Sequence, residues 1–143
     1  MSTSRVQLAL NVADVTAATE FYSRLFGTEP HKQRPGYANF EIVDPPLKLV
    51  LIESDGAAGA LNHLGVELVS PDDVTRVAQQ IAARSLTVRV AESELCCHAV
   101  QDKVYVEAPD VPLGMWEFYT VIDDSPAADA VPSTTCCVAD PTS

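Results

Sequence analysis

One phrase, used twice, constrains this chain more than anything else in it. Gln7-Leu8-Ala9-Leu10-Asn11-Val12 overlays His63-Leu64-Gly65-Val66-Glu67-Leu68 without a gap. In the second copy Leu64, Val66 and Leu68 alternate with His63, Gly65 and Glu67, which is the period of a strand with one buried face. Both copies lead into a stretch with helical spacing. If they open two related halves, Gln7 and His63 occupy equivalent positions, and two side chains able to bind a metal meet where the halves pair.

The remaining residues follow one plan twice. Residues 5–12 read as a strand, and Asp14 caps a helix over residues 15–26. Its apolar positions Val15, Ala18, Phe21, Tyr22, Leu25 and Phe26 recur at helical spacing, and Gly27 ends it. Three short strands are expected next, near 29–33, 37–43 and 47–53, divided by the turn signals Arg34-Pro35-Gly36 and Asp44-Pro45-Pro46. Residues 54–60, rich in Gly and Ala, link the halves, about 4–53 and 61–122, of one domain over residues 1–122. In the second half Ser70 caps a helix that begins with Pro71, carries Asp72 and Asp73 near the positive end of its dipole, and runs to about residue 84. Strands near 86–91, 99–107 and 115–122 complete it, with residues 109–114 as the last turn. From residue 123 the composition shifts to Ala, Pro, Asp, Ser and Thr, which bury too little surface to fold alone, so 123–143 is expected to be a disordered tail.

Composition narrows the function class. A chain of 143 residues with 47% hydrophobic side chains can bury one real core. A formal net charge of -11 with only nine Lys and Arg argues against nucleic acid, whose phosphates need clustered cations. No apolar run reaches the ~20 residues that span a bilayer, and Met1-Ser2-Thr3-Ser4-Arg5 lacks the apolar core of a signal peptide, so a soluble cytoplasmic protein is expected. The four cysteines form two adjacent pairs, Cys96-Cys97 and Cys136-Cys137, unlike the spaced framework of a small secreted domain. Reduced thiols are expected, suited to soft, thiophilic ions or metalloids.

A strand-helix-strand-strand-strand unit used twice resembles the vicinal oxygen chelate superfamily of glyoxalases, extradiol dioxygenases and bleomycin-resistance proteins. The resemblance implies an α+β fold in which two βαβββ modules form a curved mixed sheet around a metal cavity. It narrows on Ser4-Arg5-Val6-Gln7-Leu8-Ala9-Leu10, Phe21-Tyr22-Ser23-Arg24-Leu25-Phe26, Arg34-Pro35-Gly36-Tyr37-Ala38-Asn39-Phe40, Asn62-His63-Leu64-Gly65-Val66-Glu67, Cys96-Cys97 and Gln101-Asp102-Lys103-Val104. Together these are similar to the subfamily of cadmium-induced proteins and organoarsenical carbon-arsenic lyases. The chain departs from that pattern at Leu95 and His98 beside the cysteines, at Tyr105, and at Asp110-Val111-Pro112-Leu113-Gly114-Met115, where a glycine pair is usual.

The resemblance implies a site. Gln7, His63 and Glu117 match the metal positions, an amide, imidazole and carboxylate set that accepts iron(II) and also nickel, manganese, cobalt or zinc. Three ligands leave open positions, as a centre that activates dioxygen requires. Taken singly these are ordinary residues, a polar strand residue, a structural histidine and a surface carboxylate; agreement at three separated places carries the functional reading. Cys96 and Cys97, in a loop between strands, would hold a trivalent organoarsenical through two thiolates. Tyr37, Asn39 and Lys103 would line the cavity; the catalytic group stays open. The implied activity is an iron(II)-dependent dioxygenase that cleaves the carbon-arsenic bond and releases arsenite, with dioxygen as co-substrate. The alternatives are a protein that sequesters cadmium or arsenic without turnover, and a glyoxalase-like isomerase or hydrolase that ignores the cysteines. A homodimer is a further expectation of the superfamily.

Overall fold

A computed structural model describes residues 4–96 and 98–126. Cys97, Cys136, Cys137 and the rest of the expected tail beyond residue 126 lie outside the described residues.

The first half consists of β1 (Arg5–Val12), α1 (Val15–Phe26), β2 (Lys32–Arg34), β3 (Tyr37–Ile42) and β4 (Leu47–Glu53); the second repeats it with β5 (Leu61–Glu67), α2 (Pro71–Ala82), β6 (Val88–Cys96), β7 (Ala99–Glu107) and β8 (Met115–Asp123). All eight strands join one mixed, curled sheet in the order β2-β3-β4-β1-β5-β8-β7-β6. Within each half the first and last strands run parallel, β1 with β4 and β5 with β8, while β1 and β5 pair antiparallel at the junction. That junction sets Gln7 opposite Gly65 and Ala9 opposite His63, the symmetric register expected if residues 7 and 63 are equivalent.

Local chemistry explains the helices. Asp14 accepts from the Ala17 amide at 3.0 Å, and Gly27, with φ 65°, takes the left-handed conformation that closes α1. Ser70 accepts from the Asp73 amide at 3.3 Å, and Val74, Ala78 and Ile81 form one buried stripe on α2. Alternate sheet residues then pack outward under the helices. Leu8, Leu10, Ala38, Phe40, Leu49 and Leu51 meet Val15, Ala18, Tyr22 and Phe26 of α1, and Val104 and Phe118 meet Val74 and Val77 of α2. Each fully buried Leu or Phe there stabilises the fold by roughly 1.5–3 kcal/mol. Two helical positions depart from the expected stripe: Phe21 and Leu25 are 53% and 58% exposed and face away from the sheet.

The edges also depart. β2 is shorter than expected and displaced toward Arg34, and β6 continues to Cys96. Cys96 therefore ends a strand and is wholly buried, where the sequence suggested a loop. β8 continues through Asp123, and the next residue, Asp124, is bound by Lys32. Among the described residues no helix is long and apolar enough to cross a membrane.

Candidate metal centre

The register that sends apolar side chains toward the helices sends the alternate set to the concave face. Gln7, Gly65, Glu117 and Tyr105 lie side by side across β1, β5, β8 and β7; Asn39, Val50, Ala9 and His63 form the neighbouring row. Gln7, Asn39, His63, Lys103 and Glu117 are all buried, although each is polar or charged. Buried polar groups are costly unless they find partners, and this face supplies them for all of these side chains except the Asn39 Oδ1 atom.

Gln7, His63 and Glu117 meet. Gln7 Nε2 lies 2.9 Å from Glu117 Oε2 and 3.2 Å from His63 Nε2, and His63 Nε2 lies 3.2 Å from Glu117 Oε2. A cation ~2.1 Å from three donors at right angles would hold them ~3.0 Å apart, so these spacings fit one face of a coordination octahedron. Each of the three side chains is oriented from behind. Asn62 Oδ1 lies 2.7 Å from His63 Nδ1, and since an amide oxygen only accepts, that nitrogen carries the hydrogen and Nε2 presents its lone pair. Asn62 is itself fixed by donating to Asn11 Oδ1 at 3.1 Å. Tyr119 Oη donates to Gln7 Oε1. Turning the Gln7 amide over would bring its oxygen into the cluster while its NH₂ donates to the Tyr119 hydroxyl; the hydrogen bond from Gln7 Nε2 to Glu117 Oε2 is given up, and a cation held between the two oxygens would replace it. The three residues then present three lone pairs and no hydrogen, a donor set that accepts a divalent cation. Among the described residues no group of three His, Cys, Asp or Glu side chains gathers anywhere; the triad has two, His63 and Glu117, and its third member is the Gln7 amide.

Lys103 is the link between the triad and Cys96. Its ammonium is fully buried and donates to Glu117 Oε1 at 2.7 Å and to Cys96 Sγ at 2.9 Å. Burial works to raise the Glu117 pKa, but the Lys103 ammonium beside it and the contact with His63 outweigh it and hold this carboxyl well below its ordinary range. Glu117 is thus an anion, as a metal ligand must be. Cys96 is disulfide-bonded, which corrects the expectation of reduced thiols at this position. Oxidation state follows the redox poise around a thiol, and sequence does not encode it.

Of the residues expected to line the cavity, Tyr37 and Asn39 are both buried and bonded to each other. Tyr37 accepts from Asn39 Nδ2 at 2.9 Å, and burial pushes the Tyr37 hydroxyl up to about 12. Its ring meets that of His98 edge-on at 4.7 Å. Two buried acceptors, Asn39 Oδ1 and Gln101 Oε1, have no hydrogen-bond partner among the described residues, and Gln101 is anchored by donating to the Cys96 carbonyl at 3.1 Å. In the turn before Glu117, where the family resemblance leads one to expect a glycine pair, Asp110 and Leu113 adopt left-handed φ of 61° and 63°, and Ala108 donates to the Gly114 carbonyl at 3.0 Å. Sequence reading missed Tyr119, Asn62, Gly65 and Gln101. Strand alternation was the available signal, since Tyr119 shares a face with Glu117, Gly65 with His63, and Gln101 with Lys103.

Residues 5–110 match the family described as the Glyoxalase/Bleomycin resistance protein/Dioxygenase superfamily. The chain is 53% identical over 122 residues to the cadmium-induced protein CadI of Mycobacterium tuberculosis (strain ATCC 25618 / H37Rv), covering 85% of this chain and 79% of the relative. It is 47% identical over 135 residues to the trivalent organoarsenical cleaving enzyme of Thermomonospora curvata, covering 94% and 88%. In fold it is similar to the 2,3-dioxygenase LapB from Pseudomonas sp. KL28, with a TM-score of 0.61, 15% identity, and coverage of 91% of this chain and 46% of the other.

Proposed function

We propose, from the premise that the chain belongs to the glyoxalase/bleomycin resistance protein/dioxygenase superfamily, that it is an iron(II)-dependent dioxygenase cleaving the carbon-arsenic bond of trivalent organoarsenicals. One observation carries the reading: a single buried ammonium, Lys103 Nζ, touches both the carboxylate of the triad and the Cys96 sulfur. A substrate held at that sulfur would lie beside the metal position.

Gln7, His63 and Glu117 would hold iron(II), which when bound supplies activation of dioxygen at its open coordination positions; nickel, manganese, cobalt or zinc would fit the same donors. The protein's own groups do the rest. Once reduced, Cys96 and Cys97 would displace the two exchangeable substituents of a trivalent arsenic and hold it by two As–S bonds. Lys103 favours the thiolate of Cys96 by its charge and keeps Glu117 anionic. Tyr119 fixes the Gln7 amide, and Asn62 fixes the His63 ring. Asn39 and Gln101 offer free acceptors on the concave face to polar groups of the bound molecule.

The test is to incubate the reduced, iron-loaded protein with a trivalent phenyl arsenical in air and measure free arsenite. Cys96→Ser should retain iron and lose turnover by at least ~100-fold, since covalent capture is lost; full activity in that variant would remove the thiol from the mechanism. A second reading is favoured by the relative named as cadmium-induced: capture of a thiophilic ion without turnover. Exclusion of oxygen separates the two, because capture persists and cleavage stops.

A further inference from the structure

Lys32 takes no part in the triad, yet it is a buried cation with every hydrogen engaged. Its ammonium donates to the His98 carbonyl at 2.9 Å and to the Asp124 carbonyl at 2.6 Å, and it pairs with Asp124 Oδ1 at 2.6 Å. Three N–H groups meet three acceptors. The partners are remote in sequence: Lys32 lies on β2, one edge of the sheet, while His98 lies in the turn after β6, the opposite edge, and Asp124 follows β8. One side chain thus ties the two edges of the curled sheet together across its concave side.

The tied turn is strained. His98 has φ 68°, a left-handed conformation that a residue with a Cβ keeps only where its surroundings over-determine it. The surroundings are Lys32 on its carbonyl and the Tyr37 ring against its imidazole. His98 is two residues beyond Cys96, so a shift of the turn moves the sulfur relative to Lys103 and Glu117.

We propose that, once the Cys96 disulfide is reduced, Lys32 is a positioning residue that keeps the Cys96 sulfur beside the triad and thereby sets how well a thiophilic substrate is captured. The assignment rests on the function proposed above only for the nature of that substrate. The test uses the full chain, reduced and iron-loaded. In Lys32→Met the iron content stays at the wild-type level, KM for a trivalent phenyl arsenical rises about tenfold with kcat little changed, and alkylation of Cys96 by iodoacetamide, followed by peptide mass mapping, quickens about tenfold, as loss of charge-assisted hydrogen bonds allows local opening. Asp124→Ala removes an exposed partner and should move KM and alkylation the same way by a smaller factor. Unchanged KM and alkylation in folded Lys32→Met overturn the proposal; if that variant does not fold, unchanged values in Asp124→Ala do so. If the wild type releases no arsenite while Lys32→Met still quickens alkylation, the catalytic reading fails and the role of Lys32 stands.

Discussion

At the scale of single residues, the centre depends as much on what is missing as on what is present. A Cβ on Gly65 would stand 2.8 Å from both Cγ and the carbonyl oxygen of Glu117 and 3.3 Å from Gln7 Nε2, closer than atoms pack. Gly65→Ala should therefore push β8 away from β5 and weaken iron(II) binding by about 10- to 100-fold, as disturbed ligand orientation does. Titration of the purified variant with iron(II) measures this, and wild-type affinity would show that the strands yield without disturbing the ligands. Gln7, His63 and Glu117 were legible because a repeat and a family likeness marked them. The role of Lys103 was not legible, since two contacts to residues 7 and 14 positions away exist only after β6, β7 and β8 pair. Gly65 read merely as a small strand residue, because only the folded chain shows what its absent side chain would strike.

At the scale of elements, strand pairing decides which side chains can join the proposed donor set. Ala9 pairs with Val50 in the first half as Gly65 pairs with Glu117 in the second, so Val50 stands at the place equivalent to Glu117. An apolar residue there leaves the proposed donor set with three members. Val50→Glu should bury an unpaired carboxylate at a cost of roughly 3–5 kcal/mol, a penalty that added divalent metal relieves. Thermal unfolding with and without metal checks this, with arsenite release expected to fall as a fourth ligand closes an open position. Where strands were misjudged, they were sheet edges. β2 is Lys32-Gln33-Arg34, and β6 mixes exposed and half-buried positions, so neither carries the apolar alternation that marks a strand with one buried face. The central strands β1, β4 and β7 carry it, and their limits followed from sequence.

The whole molecule is held in its curl by contacts between ends that are distant in sequence. Burial works to raise the Asp124 pKa, but Lys32 and His31 outweigh it and hold the carboxyl below its ordinary 3.8. A depressed acid stabilises the folded state fully above its ordinary range and loses that contribution as the pH falls through it. Asp124→Asn should accordingly melt below wild type at pH 7, and the gap should close as the pH is lowered beneath 3.8; a gap that persists in acid would assign the effect to packing. Asp124 is partly exposed, so the difference is expected to be small. By itself the sequence determined two related halves, both helices with their caps, and the equivalence of residues 7 and 63, because periodicity and capping are local and the repeat is written in order. Tertiary structure alone decided that Lys103 joins Glu117 to Cys96 and that Lys32 joins one sheet edge to the other. Those contacts depend on register and curvature, which arise when eight strands close around one face and which no short stretch of the chain contains.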